Sequence, residues 1–91
     1  MSEDQVQSDV SFEAFILSLS TTAMVHLGIV PDPATQKPAT NLPAARQMIE
    51  LIGMLQDKTK GNLSASESQL IEAVLFDLRM SYVDKTKEDK K

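Results

Sequence analysis

With 91 residues, 42% of them hydrophobic and 24% charged, the chain amounts to one globular domain with a small core. A chain of this size buries only a little over ~60% of the surface its unfolded form exposes. Zero Cys excludes disulfides, zinc–thiolate and iron–sulfur sites and a thiol nucleophile, and a single His excludes every multi-histidine metal site. A net charge of −4 has the wrong sign for a nucleic-acid or anionic-membrane binder, and 4% aromatic residues without Trp cannot build a base-stacking surface.

Residues 1–10 are polar and acidic and are expected to be disordered. The first Lys or Arg is Lys37, so no basic segment of the secretory type is present and a cytoplasmic location is expected. Residues 14–31 carry no formal charge. Ser18, Ser20, Thr21, Thr22, His26 and Gly28 interrupt that stretch and neither flank is basic, which favours a helix buried in protein over a membrane span. Asn62-Leu63-Ser64 matches a glycosylation acceptor, but with no secretion expected it reads as a turn.

The first helix is expected over about residues 11–27. Ser11 supplies the N-cap and Gly28 the left-handed residue that closes the C-terminus. Phe12, Phe15, Ile16, Leu19, Ala23 and Leu27 share one face at the helical period. Ala14, Ser18, Thr21, Thr22 and Val25 occupy the opposite face and are small, and Glu13 is the only charge. So little polar surface predicts a helix covered on more than one side. The row Ala14, Ser18, Thr22 admits a close backbone, and packing inside the bundle is the simpler reading than a dimer face.

Residues 29–40 hold Pro31, Pro33 and Pro38, which forbid a continuous helix or a central strand. The expected form is an extended connector crossing from one end of the bundle to the other.

The second helix begins with Asn41 as N-cap and Pro43 in the first turn, and stops at Gly61 after Lys58 and Lys60. Leu42, Ala45, Met48, Ile49, Leu51, Ile52 and Leu55 form its apolar half; Arg46, Gln47, Glu50, Asp57 and Lys58 form its polar half. Met54 stands alone on the polar side, where a single exposed apolar residue needs no explanation.

Ser64-Ala65-Ser66-Glu67 is a capping box that opens the third helix, and the short link after Gly61 predicts an antiparallel hairpin. This helix carries two apolar stripes. One is Leu70, Ile71, Val74, Leu75, Leu78 and Tyr82. The other is Ala73, Phe76, Met80 and Val83, at the 3-4-3 spacing of a coiled-coil seam, bordered by Glu72, Asp77 and Arg79. Residues 84–91, of mixed charge, are expected to be a flexible, solvated tail.

Two blocks of residues together carry a resemblance: Phe12, Phe15, Ser18, Leu19 and Leu27-Gly28, then Asn41-Leu42, Ala45, Ile49, Leu55, Lys58-Thr59, Gly61-Asn62-Leu63, Glu67, Leu75, Leu78-Arg79 and Tyr82. The pattern resembles an uncharacterised bacterial family of small helical proteins known only as a domain of unknown function. The resemblance implies a bacterial source and a helical fold, and brings no activity and no catalytic residue.

The remaining candidates for chemistry are sparse. His26 lies on the phenylalanine-bearing face one turn after Thr22, with no carboxylate nearby in sequence to orient it. Gly53 with Lys58-Thr59 lacks the second Gly and the preceding strand of a phosphate loop. Glu50 and Asp57 share a face that could meet a cation, but Arg46 and Lys58 make an ion-pair face the simpler reading.

The expected fold is therefore all-α: a three-helix bundle with a long Pro-rich crossover after the first helix, a tight hairpin between the second and third, and a surplus apolar stripe that dimerisation would bury. The expected function is a non-enzymatic protein–protein interaction module, without cofactor, metal, nucleic-acid or membrane partner. Its interface is Ala73, Phe76, Met80 and Val83, and its partner a second copy or an unidentified protein. The alternatives are a ligand-binding or enzymatic helical protein with a pocket near Thr22, His26 and Tyr82, or a subunit of a hetero-complex.

Overall fold

The structure, a computed structural model, describes residues 10–89. Three helices follow in order: α1 (Phe12–Leu27), α2 (Leu42–Lys58) and α3 (Ala65–Asp89), with no strand among the described residues. The expected disordered segment lies outside the described residues except for Val10, which is exposed.

Local chemistry sets the helix ends. The Ser11 hydroxyl accepts from the Ala14 amide at 3.0 Å, and the Asn41 side-chain oxygen accepts from the Ala44 amide at 3.1 Å. Gly28 closes α1 at φ +79, a left-handed conformation that costs glycine little. At the start of α3 the capping box is complete. The Glu67 amide donates to the Ser64 hydroxyl at 3.2 Å, and the Ser64 amide donates to the Glu67 carboxylate at 2.8 Å.

The core draws on all three helices, and each helix packs on the other two. Ile16, Leu27, Ile52, Ile71 and Leu75 are its largest fully buried side chains. Burial of each is worth about 1.5–3 kcal/mol relative to exposure. On α1 the inward row is Ile16, Ser20, Ala23 and Leu27, at spacings of 4, 3 and 4, with Phe12, Leu19 and Met24 packed at its sides. Phe15, grouped with this face in the sequence, stands 49% exposed, because the row passes through Ser20 instead.

Three expectations need correction. The Pro-rich connector does not cross the bundle. The Asn41 amide donates to the carbonyl of His26 at 2.7 Å, so the connector leaves and returns at one end and α2 runs back along α1. Asp32 folds the connector: its carboxylate accepts from the Ala34 amide, its carbonyl accepts from the Gln36 amide, and its own amide donates to the Lys37 carbonyl. The second correction concerns α1, which is not covered on two sides. Ala14, Ser18, Thr21 and Thr22 are exposed. The three hydroxyls among them turn back onto their own helix, donating to backbone carbonyls, Ser18 to Phe15, Thr21 to Leu17 and Thr22 to Ser18, so these polar groups are already satisfied without a neighbour. Finally, α3 does not stop at Val83. It runs on to Asp89, with the Thr86 hydroxyl donating to the Val83 carbonyl and Lys85 paired with Glu88 at 3.6 Å. Residues 90–91 lie outside the described residues.

Candidate functional site

On α3 the helical period decides which residues point inward. Ile71, Val74, Leu75 and Leu78 are buried against α1 and α2, with Leu70 and Tyr82 packed at the margin. Residues 73, 76, 80 and 83 follow a second line along the same helix, rotated away from that contact. Both neighbouring helices already sit on the inward line, and none of the described residues covers the outer one. Phe76 is 66% exposed, Met80 51% and Val83 44%; Ala73 is exposed beside them. Three large apolar side chains in one row on a small domain form a patch rather than scattered surface residues.

Charge borders the row. Glu72, Asp77 and Arg79 are all exposed. Arg79 lies across α2, where a Cβ added at Gly53 would come within 3.3 Å of its guanidinium nitrogen. Gly53 gives the guanidinium room to lie close against the helix. A hollow beside the row is lined by Gln56, Glu72, Leu75, Phe76, Arg79 and Met80. On the other side of Arg79 a second, mainly apolar hollow is lined by Arg46, Ile49, Glu50, Arg79, Tyr82 and Val83. The exposed stripe therefore continues into a groove between α2 and α3.

Two ion pairs form among the described residues, Arg46 with Glu50 at 3.0 Å and Lys85 with Glu88. Glu72 and Arg79 belong to neither. Glu50 is thus engaged by Arg46, and no cluster of three potential metal ligands occurs among the described residues.

Of the three residues grouped around His26, Thr22 and His26 lie one turn apart on α1 and Tyr82 lies on α3. The Thr22 hydroxyl donates to the Ser18 carbonyl at 3.2 Å on the exposed face of α1. His26 is half-buried, and its backbone carbonyl holds the end of the connector. Tyr82 lines the hollow between α2 and α3, which neither Thr22 nor His26 lines. Gly53 lies at the middle of α2 rather than in a phosphate loop. Sequence reasoning missed the contact of Gly53 with Arg79. The available signal was a glycine inside a helix, which costs about 1 kcal/mol relative to Ala and so points to a packing reason.

A family model described as a domain of unknown function, DUF1844, matches residues 9–84. No curated protein and no solved structure matches the chain.

Proposed function

The chain belongs to the DUF1844 family, a domain of unknown function, and on that premise we propose that it is a non-enzymatic interaction module that self-associates through Ala73, Phe76, Met80 and Val83. The observation that carries this reading is the 66% exposure of Phe76 at the centre of a row whose spacing is that of a helix–helix seam. Covering such a row with a second copy removes apolar area from water at about 25 cal/mol per Å². Seam spacing also lets the side chains of one helix enter the spaces of another.

Sedimentation velocity on the full chain tests the proposal. The wild type is expected to sediment as a dimer at micromolar concentration, and Phe76→Glu as a folded monomer with unchanged far-UV circular dichroism. A carboxylate buried without a partner costs about 3–5 kcal/mol. A micromolar dimer is held by about 8 kcal/mol, so loss of that amount from each copy dissociates it. A Phe76→Glu variant that keeps both its helicity and the wild-type mass would refute the proposal.

A further inference from the structure

The border charges and the hollow beside Phe76 restrict how a second copy can sit on α3, a restriction that rests on the self-association proposed above. Along α3, Glu72 lies four residues before Phe76 and Arg79 three residues after it. Two opposite charges therefore stand almost symmetrically about the most exposed apolar side chain of the helix. Neither belongs to an ion pair among the described residues. Arg79 is held against Gly53, at the edge of the row rather than away from it. Between these charges lies the hollow whose α3 side is made by Glu72, Leu75, Phe76, Arg79 and Met80.

We infer that two copies pair through α3 in antiparallel orientation about a two-fold axis beside Phe76. Each Phe76 ring then enters the hollow next to the Phe76 of the other copy. The two-fold places Glu72 opposite Arg79 of the second copy, and Arg79 opposite its Glu72. The interface is isologous and contains two equivalent charge pairs. A parallel pairing of the same seam gives a different pattern. Glu72 then borders Asp77 of the second copy, which is repulsive, and Arg79 borders Asp84. Charge complementarity selects the antiparallel register and fixes its position along the helix.

The test uses the full chain at low ionic strength, where exposed pairs are least screened, with dimer dissociation constants from sedimentation equilibrium and helicity from circular dichroism. Glu72→Arg sets two arginines together in the antiparallel dimer and is expected to weaken it about tenfold. In a parallel dimer the same substitution would replace repulsion by attraction and tighten it, so this one variant reads the orientation by its sign. Arg79→Glu is expected to weaken the dimer similarly. An equimolar mixture of Glu72→Arg and Arg79→Glu is expected to form a heterodimer about as tight as the wild type, because one pair is restored with reversed polarity and the other joins the native Arg79 of one chain to the native Glu72 of the other. Tighter or unchanged association of Glu72→Arg, or a mixture no tighter than its components, would overturn the antiparallel register while leaving self-association in place. A wild type that stays monomeric would overturn the proposed function itself, and this inference with it.

Discussion

The amide of Asn41 donates to the carbonyl of His26 at 2.7 Å, tying the first residue before α2 to the last turn of α1. Immediately beside this tie, Gly28 holds φ +79, and a Cβ placed on it would come within 2.5 Å of the Thr40 hydroxyl oxygen. The junction thus combines a left-handed residue with a close approach of the two ends of the connector. Gly28→Ala is expected to destabilise the fold by about 1–3 kcal/mol, the cost of a non-glycine residue in that conformation, with displacement of Thr40 in addition. Urea denaturation measures the loss. Thr40→Ala added to Gly28→Ala should recover part of it, because the hydroxyl no longer opposes the new methyl group.

Gly61 makes a useful comparison. It also has positive φ, +87, but among the described residues nothing lies within 4 Å of a Cβ there. Gly61→Val is expected to cost at least about 1 kcal/mol from the backbone alone, since a β-branched residue suits that conformation poorly. An unchanged denaturation midpoint would remove Gly61 from any role in the α2–α3 turn.

The reciprocal pair Ser64 and Glu67 lends itself to a double-mutant cycle. Ser64→Ala is expected to cost about 1 kcal/mol, since the amide of Glu67 loses its acceptor. Glu67→Ala frees the Ser64 amide in turn. The double variant should cost less than the sum if the two bonds hold one another in place, and strict additivity would show two independent caps.

Phe76 and Ile71 lie on the same helix and make opposite predictions. Ile71 is fully buried, and Ile71→Ala should destabilise by about 2–5 kcal/mol. Phe76→Ala, measured at a concentration low enough to keep the chain monomeric, should leave stability within about 0.5 kcal/mol of wild type. A large loss for Phe76→Ala in the monomer would mean that the ring packs within its own bundle.

Gly53→Ala offers a test in the stabilising direction. Alanine gains about 1 kcal/mol of helix propensity over glycine. Among the described residues the only close neighbour of the new methyl is the guanidinium of Arg79, the far end of a flexible, exposed side chain that can yield by a few tenths of an ångström. A net gain of about 0.5–1 kcal/mol in thermal or urea denaturation is expected, together with a displaced Arg79.

The helix ends were legible in the sequence because capping is local chemistry. Ser11, Gly28, Asn41 and the pair Ser64 and Glu67 each act on atoms a few residues away. The two stripes of α3 were legible for a related reason, since residues three and four apart share a face whatever the tertiary fold. The path of the connector was not. Pro31, Pro33 and Pro38 say what the chain cannot form, whereas its course depends on Asp32 and on a bond between residues 41 and 26. The uncharged face of α1 misled for another reason. Lack of charge does not require burial when Ser18, Thr21 and Thr22 spend their hydroxyls on their own helix. The mixed-charge run after Val83 read as a tail because composition alone does not register the spacing of Lys85 and Glu88. The border of the candidate interface could be named from sequence, but the placement of Arg79 over Gly53 could not, because it depends on how α2 and α3 are rotated against each other.

The closed connector also separates chain length from bundle geometry. Its two ends are fixed beside each other by the His26–Asn41 bond, so the number of residues between them does not set the distance between α1 and α2. Lengthening such a segment costs chiefly closure entropy, about 0.6 kcal/mol for each doubling. Pro33, Ala34, Thr35 and Gln36 form its exposed tip, outside the core. The fold thus provides one place where a peptide tag or a reporter domain can be inserted within the chain, leaving the three helices undisturbed.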